Sequence, residues 1–83
     1  MSLKSYVNQK NQWNALFGKV AWDISNPSDR KAIAESIDCD LSPENLSCDG
    51  ELPRSQVNAR YNRLVKAAKE LQKIDSSITF WEL

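Results

Sequence analysis

Two stretches of the sequence carry apolar residues at the spacing of an α-helix, and this periodicity limits the fold more than any other feature. Such spacing of three and four residues places the apolar side chains on one helix face. In residues 3–23 the stripe comprises Leu3, Tyr6, Trp13, Leu16, Phe17 and Val20. In residues 53–74 it comprises Val57, Tyr61, Leu64, Ala68 and Leu71. Because the chain has only two glycines and three prolines, long helices are favoured over many short strands. The sequence therefore predicts an all-α protein.

Two proline-containing helix starts lie between these long helices. Asn26 precedes Pro27, and these residue types suit the cap and the first position of a helix, which predicts a helix over residues 27–37. Ser42 precedes Pro43 in the same way and predicts a short helix over residues 43–46. The apolar and aromatic residues 78–83 are expected to dock on the helices. The predicted fold is a small helical bundle of two long helices, one or two short helices and a docked C-terminal tail, forming a single domain over residues 1–83.

The predicted core combines the inward positions of these helices. Its members are Trp13, Leu16, Phe17, Val20, Ile33, Ile37, Val57, Tyr61, Leu64, Ala68 and Leu71. Trp22 lies away from the first stripe by about half a turn, so it is expected outside this core.

Charge and hydropathy give no sign of export or of membrane attachment. Eleven basic residues balance eleven acidic ones, which gives no general attraction to nucleic acid or anionic lipid. The apolar runs fall far short of the roughly 20 residues that a membrane span needs, and the first residues lack the apolar stretch of a signal peptide. We therefore expect a cytoplasmic protein, in which Cys39 and Cys48 are more often reduced thiols than a disulfide. Both cysteines are interpreted as small apolar packing residues under the acidic segment 38–51.

The sequence offers little for catalysis. It contains no histidine, so a Cys–His or Ser–His pair cannot form. A zinc site needs about four Cys or His ligands, and two cysteines are present. The only glycines, Gly18 and Gly50, cannot build a phosphate-binding loop. Acidic residues are plentiful, but nothing singles out a catalytic pair. We expect a non-enzymatic protein with no cofactor and no metal.

Aromatic residues outside the helical stripes favour binding to another protein. The candidates for interface anchors are Trp22, Phe80 and Trp81, since exposed tryptophan is a residue type that dominates interface energies. The leading prediction is a small regulatory or adaptor protein that binds a protein partner or a second copy of itself. The alternative for these aromatics is that they complete a thin core.

A second hypothesis concerns the polar face of the helix predicted over residues 53–74. The candidate nucleic-acid contacts on this face are Arg54, Ser55, Asn58, Asn62, Arg63 and Lys66. The order of a short helix, a turn and this helix over residues 41–64 resembles a helix-turn-helix, whose second helix enters the major groove of DNA. The acidic segment 38–51 precedes this helix and is expected to sit against it and cancel much of its field. Protein binding therefore ranks first, with helix-turn-helix-like DNA binding as the alternative.

Overall fold

The computed structural model describes residues 3–83, of which 68% are helical and none lies in a strand. The helices are α1 (Leu3–Leu16), α2 (Pro27–Leu41), α3 (Pro43–Ser47) and α4 (Arg54–Ile74). The all-α class is confirmed. α4 contacts each of the other three helices, and α2 also contacts α3. The longest helix therefore organises the fold.

Helix α1 ends at Leu16, well before the predicted end near residue 23. The cause is Gly18, whose φ of 70° lies in the left-handed region. The N–H of Gly18 donates to the carbonyl of Ala15 at 3.2 Å, and the N–H of Lys19 donates to that of Asn14 at 2.7 Å. These are the two hydrogen bonds of a Schellman motif, in which a glycine just past the last turn closes a helix.

Helix α2 begins where the sequence predicts and continues further. The Asn26 side chain accepts a hydrogen bond from the N–H of Ser28 at 2.9 Å, and Pro27 is the first helical residue. The helix runs to Leu41, four residues beyond the predicted end at Ile37. The first acidic residues of segment 38–51 therefore belong to a helix and not to a connector.

A tight turn links α3 to α4. Three consecutive residues, Cys48, Asp49 and Gly50, have positive φ values of 50°, 59° and 87°. Glycine tolerates this conformation at the last of these positions without the steric cost that a side chain would add. α4 then runs from Arg54 to Ile74, in close agreement with the predicted helix.

The core lies where α4 packs against α1 and α2. Its buried residues are Leu3, Tyr6, Val7, Ile33, Ala34, Ile37, Leu41, Leu46, Leu64, Ala67, Ala68, Leu71 and Ile78. The core positions predicted on α2 and on the second half of α4 are confirmed. Val57, at the start of α4, is partly buried at the margin of this cluster.

Five predicted core residues are exposed instead. They are Trp13, Leu16, Phe17, Val20 and Tyr61. The buried residues of α1, namely Leu3, Tyr6 and Val7, all lie in its first half. Apolar periodicity identifies the face of a helix that seeks burial, but it does not show how far along the helix a partner extends. Here the partner surface ends before the last turn of α1.

Candidate functional site

The end of α1 and the residues that follow it expose four large apolar side chains, which we call the apolar stripe: Trp13, Leu16, Phe17 and Val20. Their exposed fractions are 56%, 77%, 70% and 88%, in that order. The rings of Trp13 and Phe17 stack, with centroids 6.3 Å apart and planes inclined by 13°. A pair four residues apart on a helix meets in this way. The stripe is thus an ordered apolar patch, a feature that marks interaction sites when it is large and contiguous.

A groove between α1 and α4 adjoins the apolar stripe, because Trp13 belongs to both. We call it the α1–α4 groove; its cavity volume is about 240 Å³. Its lining consists of Tyr6, Gln9, Lys10, Trp13, Asp40, Arg60, Arg63 and Leu64. Three of these side chains are cationic and one is anionic, so the groove carries a net positive charge.

The anionic side chain of the groove, Asp40, is already engaged. The hydroxyl of Tyr6 donates to its carboxylate at 2.8 Å, and the ammonium of Lys10 lies 2.9 Å from the same oxygen. The Tyr6 hydroxyl also lies 2.8 Å from that of Ser36. Burial, reinforced by the Asp40 charge and hydrogen bond, raises the pKa of Tyr6 far above its ordinary value. Tyr6 therefore stays neutral at physiological pH, and Asp40 largely offsets Lys10.

The remaining cations of the groove, Arg60 and Arg63, have no carboxylate partner in the described part of the chain. The ion pairs among residues 3–83 are Lys10–Asp40 and Arg30–Asp75. Arg60 donates from Nη2 to the carbonyl of Asn45 at 3.2 Å, while its buried Nε has no hydrogen-bond partner in the described part of the chain. Arg63 is exposed and donates from Nε to the carbonyl of Ala59 at 3.3 Å. The groove therefore offers two guanidinium groups to an acceptor.

The aromatic candidates named from the sequence occupy different environments. Trp22 is half-buried against the core, and its backbone N–H and carbonyl bond to the side chain of Asn11 at 2.8 and 3.1 Å. Phe80 is also partly buried against the core. Trp81, by contrast, is 95% exposed. Only Trp81 of the three presents most of its surface to solvent.

Hydrogen bonds hold the backbone of Trp81 and Glu82, although the Trp81 side chain is almost fully exposed. The carboxylate of Asp38 accepts hydrogen bonds from the N–H groups of Trp81 and Glu82 at 3.1 and 3.2 Å. Ile78 is buried in the core just upstream. The predicted docking of the C-terminal tail is thus observed up to Phe80, beyond which the side chains point outward.

The polar residues of α4 that were proposed to contact nucleic acid all lie in the open. Arg54, Ser55, Asn58, Asn62, Arg63 and Lys66 are exposed, and Lys69 and Lys73 continue the same basic face. Within residues 3–83 the acidic segment forms no ion pair with this face. The carboxylate of Asp38 accepts a hydrogen bond from the tail, and that of Asp40 pairs with Lys10. That the acidic segment lies against α4 and cancels much of its field stays a prediction, since Arg60 donates to the carbonyl of Asn45 and Asp40 lines the α1–α4 groove beside Arg60 and Arg63.

The apolar stripe is the surface that reasoning from the sequence placed in the core instead of at a site. Its signal was present in Gly18, a residue type that ends helices when it follows the last turn. The two cysteines were interpreted as packing residues, but Cys39 and Cys48 are both free and exposed. The interpretation is wrong because Cys39 lies on the outer side of the extended α2 and Cys48 in the turn.

Comparison of the chain with protein-family models, with curated proteins and with solved structures finds no match. No helix within residues 3–83 is long and apolar enough to cross a membrane.

Proposed function

We propose that this protein is a small non-enzymatic regulatory or adaptor protein that binds another protein through the apolar stripe. The observation that carries the proposal is the exposure of four large apolar side chains within residues 13–20, namely Trp13, Leu16, Phe17 and Val20. Burying one such side chain against a partner is worth about 1.5–3 kcal/mol. The stacked Trp13–Phe17 pair supplies the central aromatic anchor that dominates many interfaces.

The groove beside the stripe supports the same function. A protein interface commonly has an apolar centre and a polar rim. Here Arg60 and Arg63 lie beside the exposed Trp13 and can receive carbonyl or carboxylate groups of a partner. The apolar stripe supplies apolar area for burial, and the α1–α4 groove supplies hydrogen bonds whose geometry depends on the orientation of the partner.

The test uses site-specific photo-crosslinking in the cells that express the protein. A photoreactive side chain at Leu16 should crosslink a defined partner, whereas the same group at the exposed Ser55 should not. With the partner identified and purified, Phe17→Asp should weaken binding at least about tenfold, the equivalent of about 1.4 kcal/mol. Ile74→Asp is the matched control, since Ile74 is 53% exposed on a different helix. Equal binding by Phe17→Asp and the wild type would refute the proposal.

A second candidate function is DNA binding by α4, and one observation favours it. Asn58, Asn62, Lys66, Lys69 and Lys73 follow each other at spacings of three and four residues along the exposed face, and none of the three lysines takes part in the ion pairs of the described chain. Such residues can contact phosphates and base edges. The candidate ranks second because α3 has only five residues and its turn contains three residues with positive φ. These features depart from a compact helix-turn-helix.

A further inference from the structure

We propose that the apolar stripe and the α1–α4 groove of one copy receive Trp81 and Glu82 of a second copy, so that the protein self-associates through its tail. This inference rests on the proposed protein-binding function and names the partner. It follows from the presence, on one chain, of a cationic aromatic groove and of an exposed segment with the complementary chemistry.

The tail has the form of a preorganised ligand. Ile78 is buried and Phe80 is partly buried against the core. The carboxylate of Asp38 then holds the N–H groups of Trp81 and Glu82. Because the backbone is fixed while both side chains are exposed, docking would order little besides these two side chains. Such preorganisation lowers the entropic cost of association.

The groove has the chemistry to receive this segment. The guanidinium group of Arg63 is exposed and has no carboxylate partner within residues 3–83, so it can form an ion pair with Glu82. Arg60 lines the same cavity and adds positive charge beside Arg63. Guanidinium and carboxylate groups form short, charge-assisted hydrogen bonds. The exposed faces of Trp13 and Phe17 can stack with the indole of Trp81.

The occupant is a second copy and not the tail of the same chain. Trp81 is 95% exposed within its own copy, so its indole does not contact its own groove. The chain has no net charge, and two copies therefore meet without general electrostatic repulsion. Each copy carries one groove and one tail, which allows either a closed dimer with two reciprocal contacts or an open series of single contacts.

The experiment measures the mass of the full chain by sedimentation equilibrium from about 10 μM to about 1 mM, the range in which weak complexes populate. The wild type should self-associate. Glu82→Arg and Arg63→Glu should each weaken association at least about tenfold, because each places like charges together. The double variant should regain most of the wild-type affinity. Glu51→Arg and Arg54→Glu are the matched controls, since they make the same charge changes at exposed positions outside the groove.

Three results would overturn the inference: a wild type that stays monomeric over the whole range, control variants that weaken association as much as the test variants, or a double variant that is not restored. Circular dichroism should show that every variant keeps the wild-type helix content, because all four positions are exposed. A monomeric chain that still binds a foreign partner through Phe17 would refute self-association and leave the proposed function standing. If Phe17→Asp binds the foreign partner as tightly as the wild type does, the proposed function is refuted whatever the result for self-association.

Discussion

The hydroxyl of Tyr6 donates a hydrogen bond of 2.8 Å to the carboxylate of Asp40, and this contact joins α1 to α2 beside the α1–α4 groove. The ring of Tyr6 is buried, while Asp40 also pairs with Lys10 at the surface. This polar contact thus ties the first half of α1 to the last turn of α2.

Removing this hydroxyl should destabilise the protein measurably. Tyr6→Phe keeps the buried ring but breaks the hydrogen bonds to Asp40 and Ser36. We expect the free energy of unfolding to fall by about 1–2 kcal/mol, the usual net worth of such bonds when a charged acceptor takes part. Urea denaturation measures the change. Tyr61→Phe is the control, because Tyr61 is exposed and its change should stay within about 0.5 kcal/mol. Equal effects of the two substitutions would contradict the assigned role of Tyr6.

The same tyrosine should make the fold sensitive to alkaline pH. Burial raises the pKa of Tyr6 above its ordinary value of 10.0, so the folded state holds the phenolic proton more tightly than the unfolded state does. The resulting stabilisation is complete below pH 10.0 and declines as the pH rises from there toward the folded-state pKa. The stability advantage of the wild type over Tyr6→Phe should therefore shrink above pH 10. Urea titrations of both proteins at several pH values test this, and a constant difference would contradict it.

Leu71 and Phe17 both occupy apolar positions at helical spacing, but truncating them to alanine should lower the free energy of unfolding by different amounts. Leu71 is fully buried, so Leu71→Ala should lower the free energy of unfolding by about 2–5 kcal/mol. Phe17 is 70% exposed, and Phe17→Ala should cost less than about 1 kcal/mol. Thermal and urea denaturation of the two variants measure these changes in the free energy of unfolding. A loss of several kcal/mol for Phe17→Ala would mean that the apolar stripe packs into the core after all.

The sequence was sufficient for the fold class and for α4, and the reason is local. The α4 stripe of Leu64, Ala68 and Leu71 faces two helices at once, so the periodic positions are buried as the pattern predicts. Asn26 and Pro27 fixed the start of α2 through capping chemistry that acts within a few residues. Helix formation and capping are therefore determined locally, whereas burial of the α4 stripe also requires α1 and α2 as packing partners.

The candidate site was harder to predict because it exists only where the other helices leave the end of α1 uncovered. Trp13 and Phe17 have the pattern of core residues, and only the position of the other helices leaves them exposed. Asp38 and Asp40 looked like part of a free acidic segment, yet the tail and Lys10 hold them through contacts between distant parts of the chain. The three aromatic candidates all lie outside the helices, yet Trp22 and Phe80 pack partly against the core and Trp81 is exposed, a difference that their sequence positions do not predict.

The last prediction concerns α4 as a DNA-binding surface. If this candidate function is correct, the protein should bind random-sequence duplex DNA with an affinity that falls steeply as salt rises, since neutralised phosphates release counterions. Lys66→Glu should weaken binding and lower the slope of log K against log salt by about 1. Lys31→Glu, an equivalent change on the exposed side of α2, should have little effect. Fluorescence anisotropy over a salt series provides both affinity and slope.

Because Arg63 lies both in the groove and on the basic face of α4, its substitution would disturb protein binding and DNA binding together. Lys66 lies outside the groove, so Lys66→Glu separates the two functions. Negligible affinity for DNA at about 0.15 M salt, where charges are screened beyond about 8 Å, would leave protein binding as the sole candidate.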